Sequence, residues 1–196
     1  MKSLRPYSLL IYCLLAMSVI INGCAAHRET VSQFEADSPS EEKIQIRVKL
    51  EMTEAYKSTQ HEEMFTVFHL GNNLKKYTEI LADKMFDVVV KNTGEYNAIL
   101  VPEVVSTNFQ MPMWRGQDSR ILIIHKWTLM DKSNNLIWLK TISGTGVLGR
   151  VDANELAILA LDDLFTKTSG KISSSIEIRN FAKSISSESK AATGSE

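Results

Sequence analysis

The amino-acid sequence predicts an α+β fold, a two-layer sandwich in which two helices lie on one face of a mixed four-stranded sheet. Three observations predict it: strict alternation of apolar and polar residues at 43–52, helical periodicity from residue 74, and a strand pair joined by a turn-rich spacer at 131–135. The predicted order of elements is β-α-β-β-β-α. A strand with one polar face belongs to a sheet that is covered on one side only, so both helices are placed on the same face.

The first strand and the first helix have the clearest patterns. Apolar and polar residues alternate from Lys43 to Met52, which is the period of a strand with one buried face. After a polar connection, apolar residues recur at helical steps, with Asn72 or Asn73 available as the N-cap. The recurring residues are Leu74, Tyr77, Leu81, Met85 and Val88. A helical crossover between the first two strands predicts that these strands are parallel.

The remaining strands are predicted from residue 96 onwards. Residues 96–109 form the second strand, in which Pro102 indicates an edge position or a bulge. The segments 119–130 and 136–146 are typical of a hairpin, and Trp127 and Trp138 predict aromatic packing across it. The run G-T-G-V-L-G at 144–149 lacks the dinucleotide-binding pattern and predicts a bend at a strand end.

A second helix completes the predicted domain. Asp152 or Asn154 is its expected N-cap, and Gly170 is expected to end or kink it. The single α+β domain is predicted to span residues 43–183, which is long enough to bury a core without disulfides. The polar, acidic stretch 24–42 predicts a flexible tether, and the Ser-rich stretch 184–196 predicts a disordered tail.

The N-terminal residues 1–23 have the features of a signal peptide. Lys2 and Arg5 precede fifteen residues, 7–21, that carry no charge. A transmembrane helix needs about 20 apolar residues, and Asn22 and Gly23 interrupt this run before that length. A short signal anchor is the alternative interpretation.

The stretch I-N-G-C at 21–24 resembles the bacterial lipobox, in which an aliphatic residue, a small residue and Gly or Ala precede a cysteine. The resemblance implies cleavage between Gly23 and Cys24, a diacylglyceryl group on Cys24 and acylation of its new amino group. Ala25 and Ala26 follow the cysteine. In such lipoproteins an Asp directly after the cysteine favours retention in the inner membrane, so the resemblance implies that this chain is sorted to the outer membrane. Cys13 leaves with the signal peptide, so the mature chain is expected to have no disulfide.

Composition and motifs offer little support for catalysis. The 22 basic and 23 acidic residues provide no basic field for nucleic acid. The four histidines lack metal-ligand spacing, and His125, inside an apolar strand, is expected to be a satisfied or surface-facing side chain. The sequence therefore predicts no catalytic residue, no metal site and no cofactor. An envelope hydrolase whose nucleophile is unidentified is the enzymatic alternative.

One loop, F-Q-M-P-M-W-R-G at 109–116, has the composition of an interface. Met, Trp and Arg are enriched at the centres of protein interfaces, so the predicted interaction residues are Met111, Met113, Trp114 and Arg115. The alternative is that the apolar members fold back and cap the core. The polar face of the first strand, with Lys43, Arg47 and Lys49, is a second docking candidate, whose alternative is plain solvation.

The layout as a whole resembles small outer-membrane accessory lipoproteins. These include the lipoprotein partner of the lipopolysaccharide-insertion barrel and the curli-secretion and exopolysaccharide-export lipoproteins. The resemblance implies a non-enzymatic scaffold or accessory subunit of an envelope assembly, secretion or transport machine, anchored through Cys24 and facing the periplasm. It also allows a homo-oligomer and leaves the protein partner open. A lipid or glycan carrier is the alternative, and it requires an apolar cavity that bulky residues such as Leu74 and Tyr77 argue against.

Overall fold

The computed structural model describes residues 34, 43–63, 66–90, 94–111, 117–149 and 152–193. They form strands and helices that, in chain order, are β1 (Ile44–Leu50), α1 (Glu54–Lys57), β2 (Gln60–Glu63), β3 (Thr66–His69), α2 (Gly71–Met85), β4 (Phe86–Val90), β5 (Ala98–Gln110), β6 (Ser119–Asp131), β7 (Leu136–Leu148), α3 (Ala153–Ser173) and α4 (Ile176–Thr193).

The main sheet is mixed, as predicted, but it has five strands rather than four. Its order is β4-β1-β5-β6-β7. The strand β1 is parallel to both of its neighbours, β4 and β5, whereas β6 is antiparallel to both of its neighbours, β5 and β7. The fifth strand is β4, F-D-V-V-V, which the sequence assigned to the end of the first helix. Val89 pairs with Val48 of β1. β-branched residues pack better on a sheet than in a helix, so the helix ends at Met85 and the valines join the edge.

A small second sheet lies in the stretch that was predicted as a polar connection. The strands β2 and β3 pair antiparallel after the short helix α1, whose N-cap Thr53 accepts a hydrogen bond from the Tyr56 amide at 3.1 Å. Phe68 of β3 is buried, and its ring centroid lies 4.9 Å from that of Phe109 in β5. The hairpin therefore packs on the core through one aromatic residue.

The helix ends confirm one predicted cap and correct three other expectations. Asp152 caps α3 by accepting from the Glu155 amide at 3.0 Å. The N-cap of α2 is Leu70, whose side chain cannot accept a hydrogen bond, and the Thr59 carbonyl accepts from the Leu70 and Gly71 amides instead. The helix α3 continues through Gly170, and α4 extends to Thr193 through most of the stretch expected to be disordered. Apolar residues at helical steps hold α4, and they are Ile178, Phe181, Ala182 and Ile185.

Phe34 belongs to the stretch 24–42 that was predicted as a flexible tether, yet its side chain is in the core. It is 5% exposed, stacks on Tyr77 at 5.8 Å between ring centroids and lies 5.7 Å from Phe165. The Lys84 ammonium lies over its ring at 4.6 Å and donates to its carbonyl. The other residues of this stretch and the predicted signal peptide lie outside the described residues.

Two glycines of β7 allow helix α3 to approach the sheet closely. A Cβ at Gly144 would lie 2.2 Å from the Ala160 carbonyl oxygen, and one at Gly146 would lie 2.2 Å from that of Leu156. Both positions are inside β7, and the predicted bend at a strand end lies at Gly149, directly after the strand ends at Leu148. The absence of a side chain at Gly144 and Gly146 serves packing rather than a turn.

The core lies between the helices and the covered face of the sheet. Leu74, Tyr77, Leu81 and Met85 of α2 are buried there, as the helical periodicity predicts. Trp127 and Trp138 are also buried, but they stand opposite Lys140 and Leu129 rather than opposite each other.

Pro102 lies where the prediction expects it, at an open part of β5. The strand β1 pairs with β5 only as far as Leu100, and a register shift follows between Val104 and Ser106. Among the described residues, no helix is long and apolar enough to span a bilayer.

Candidate functional site

Of the residues that were predicted to form the lipid anchor or the interaction loop, the structure describes one. Met111 is half-buried and packs against the core, as the capping alternative expects for this residue. Gly23, Cys24, Met113, Trp114 and Arg115 lie outside the described residues. The predicted loop site is therefore not tested.

The side of the main sheet that faces away from the helices carries an apolar surface. Residues of β6 alternate strictly, and the inward set is buried. The outward set includes Leu122, Ile124 and Met130, which are only half-buried and lie outside the main core. Ile99 of β5 stands opposite Met130 on this face and is 7% exposed. We call this surface of β5, β6 and β7 the open sheet face.

Two exposed residues of β7 extend the open sheet face, Leu139 at 47% and Val147 at 40% exposure. They stand opposite Thr128 and Arg120 of β6. The signal for this surface is present in the sequence, since R-I-L-I-I-H-K-W carries apolar residues on both faces of one strand. The outward face of the first strand is polar, which led to the expectation that the outward face of the whole sheet is polar.

Ion pairs lie among and beside the apolar residues of the open sheet face. Lys126 of β6 pairs with Glu103 of β5, and Arg47 lies 3.8 Å from Glu95. Lys49 bonds to Glu51 at 2.6 Å, and the hydrogen bond and charge of that carboxylate raise the pKa of Lys49. Two of the cations that were predicted as a docking site are therefore paired within the chain. Such exposed pairs contribute little stability, but they set the charge pattern that a partner meets.

Part of the edge of β7 and the open end of β5 are protected against pairing with another strand. On β7, the Thr145 amide donates to the Asp163 carboxylate at 2.9 Å, and Lys167 donates to the Ser143 carbonyl at 3.3 Å. Asp163 and Lys167 are also paired with each other at 2.7 Å. On β5, Pro102 removes one donor, and the adjacent register shift twists the strand. These features disfavour pairing of another strand along β7 or along the open part of β5.

A buried polar chain joins β6, α1 and α2 beneath the covered face. His125 Nε2 lies 3.0 Å from the Tyr56 hydroxyl, which lies 2.7 Å from the Thr78 hydroxyl. Burial lowers the pKa of His125 to about 3 and raises the pKa of Tyr56 well above its usual value. His125 is therefore neutral, and it holds α1 and α2 on the sheet from a position away from solvent.

No protein-family model and no curated protein matches the chain. Among solved structures, a Xanthomonas campestris protein of family DUF330 superposes with a TM-score of 0.49 at 9% identity, covering 78% of this chain and 92% of that one. A minor lipoprotein from Acinetobacter baumannii gives a TM-score of 0.43 at 15% identity, covering 67% and 93%. A PelC dodecamer from Paraburkholderia phytofirmans gives 0.39 at 13% identity, covering 66% and 91%. TM-scores this low do not establish a shared fold, so nothing known of these proteins is transferred through them.

Proposed function

We propose that the chain is a lipid-anchored protein of the bacterial cell envelope whose domain is a non-enzymatic accessory or scaffold subunit. In this proposal the domain faces the periplasm and Cys24 carries acyl chains in the outer membrane. The open sheet face contacts a protein partner of an assembly, secretion or transport machine. A homo-oligomer that leaves this face free is compatible with the same role.

The observation that carries the docking role is the apolar character of the open sheet face. Burial of apolar surface yields roughly 25 cal/mol per Å², so residues such as Leu122, Ile124 and Leu139 would supply the central contacts of an interface. Arg47 with Glu95 would lie at the rim of this interface, and Lys126 with Glu103, between Ile124 and Met130, would supply polar contacts within it. The protection of β7 and of the open part of β5 favours the face over these two strand edges as the contact surface.

The anchor is supported by the sequence at 1–24, where an uncharged run behind two basic residues ends in I-N-G-C. One acyl chain binds a bilayer only marginally, whereas two or three, at about 0.8 kcal/mol per buried methylene, hold a protein stably. A tethered domain meets membrane partners at a high effective concentration, so weak docking is sufficient.

The test combines intact mass measurement with photo-crosslinking in cells. A photoreactive residue is placed at Ile124 on the open sheet face and, as a matched control, at the exposed Thr166 on α3. We expect a discrete crosslinked protein from position 124 and none from position 166. Equal crosslinking at both positions, or none at either, would contradict docking through this face.

The anchor has its own readout. The membrane-extracted chain is expected to have the mass of an acylated protein that begins at Cys24, and Cys24→Ser is expected to lose both the acylation and the membrane association. A mass that retains residues 1–23 without acyl chains would instead support a signal anchor.

A further inference from the structure

Two clefts in the described part of the chain differ in charge. The larger, about 620 Å³, lies between the end of β1 and α2 and has lysines and acids in its lining. Its charged lining residues are Glu51, Lys57, Lys75, Glu79 and Asp83. The smaller, about 470 Å³, lies between the start of β1 and α4, and its charged lining residues are Lys43, Arg179 and Lys183. We call the smaller one the basic cleft.

Within the described residues, the positive charges of the basic cleft have no acidic partner. Among the ion pairs of the described residues, none involves Lys43, Arg179 or Lys183. Arg179 donates one N–H to the Ser173 carbonyl at the end of α3, which orients the guanidinium and leaves its other donors available. Three positive charges therefore converge on one cleft of a chain whose net charge is −1.

The floor of the basic cleft is apolar. Met85 is 4% exposed, and Ile44 and Ala182 are half-buried beside it. Cations above an apolar floor suit a ligand that joins an anionic group to a hydrocarbon part. The guanidinium fork matches the oxygens of a phosphate, and two lysines add point charges.

We propose that the basic cleft binds the phosphate group of an anionic amphiphile, the chemistry that a phospholipid headgroup presents. Recognition of the phosphate rests on the cleft alone, whereas a membrane source for it rests on the proposed anchor. Lys43 directly follows the stretch 24–42, so the cleft lies where the chain from Cys24 enters β1. Its volume of about 470 Å³ fits a headgroup rather than whole acyl chains.

The experiment follows the reactivity of individual lysines in the full lipidated chain. The chain is reconstituted into vesicles of phosphatidylcholine alone, or of phosphatidylcholine with one quarter phosphatidylglycerol, and its amines are acylated and located by mass spectrometry. A third arm adds inorganic phosphate to the phosphatidylcholine vesicles. Lys75, an exposed lysine in the larger cleft, is the internal control.

We expect phosphatidylglycerol to reduce the reactivity of Lys43 and Lys183 about fivefold relative to Lys75. The variant Lys183→Gln should remove the protection of Lys43, and Lys75→Gln should leave it intact. Protection by inorganic phosphate would support phosphate recognition with a soluble source. Equal reactivity in all three arms would overturn the proposal. Flotation of the same vesicles reports the anchor separately, so a chain that floats without lysine protection contradicts only the cleft.

Discussion

The substitution Phe34→Ala tests whether the stretch between Cys24 and β1 is held by the domain. The Phe34 ring is 5% exposed and contacts Tyr77, Phe165 and Lys84. Replacing a buried Phe by Ala costs about 3–5 kcal/mol. We expect a loss near 3 kcal/mol, because a short segment can leave the surface and water can enter where the ring was. A domain of this size has about 5–15 kcal/mol of stability, so the effect is readily measured.

The assay is equilibrium urea unfolding of the wild type, Phe34→Ala and the matched variant Phe34→Leu. Leucine keeps most of the apolar volume and loses the ring contacts, so we expect it to cost less than half as much as alanine. An unfolding midpoint of Phe34→Ala equal to that of the wild type would refute the burial of this residue.

In the proposed lipid-anchored arrangement, the same contact would limit how far the domain can move from the membrane. Phe34 is ten positions after Cys24, and Lys43 is nineteen positions after it. A chain spans at most about 3.5 Å per residue, so an anchor at Cys24 would allow a reach of at most roughly 35 Å to Phe34, against roughly 65 Å to Lys43 if the whole stretch were free. Phe34→Ala is therefore expected to increase the separation between membrane and domain, measured by energy transfer from labelled lipid.

Three further perturbations have expected outcomes. Gly144→Ala should destabilise the protein by about 1–3 kcal/mol, because the new Cβ would clash with a carbonyl oxygen of α3. Gly170→Ala should raise the melting temperature, because a Cβ there has open space and alanine favours the helix more than glycine does. The pKa of His125 is about 3 in the folded protein and near 6.5 in the unfolded chain. The contribution of neutral His125 to stability is therefore present above pH 6.5 and is lost as the pH falls towards 3. His125→Gln should flatten the dependence of the urea midpoint on pH in this range. Asp163→Ala should free the Thr145 amide at the edge of β7 and increase self-association in sedimentation velocity, and an unchanged monomer fraction would contradict the edge-protecting role.

The elements that were predicted correctly have a strong local pattern. The alternation at 43–52 and the helical steps from Leu74 each specify one buried face, and the Asp152 cap follows from local hydrogen bonding. The strand β4 was missed because its valines follow a helix without a turn signal. The partner that makes them a strand, β1, is about forty residues earlier in the chain.

Most of the candidate surfaces also escaped sequence reasoning. The residues of the open sheet face come from three strands, and the basic cleft brings Lys43 together with Lys183 from the opposite end of the chain. Neither group of residues has a regular spacing in the sequence that would identify it as one surface. The run I-L-I-I in β6 was the one available signal, since it places apolar residues on both faces.

The sequence by itself determined the class of fold, the periodicity of its main elements and a candidate anchoring cysteine, because each depends on neighbouring residues or on composition. Tertiary structure decided which polar stretches become ordered, as at Phe34, β2, β3 and α4, since burial against distant residues outweighs weak local preference. It also decided which charges remain unpaired and which apolar residues stay uncovered. Those two outcomes define the surfaces through which the domain is proposed to act.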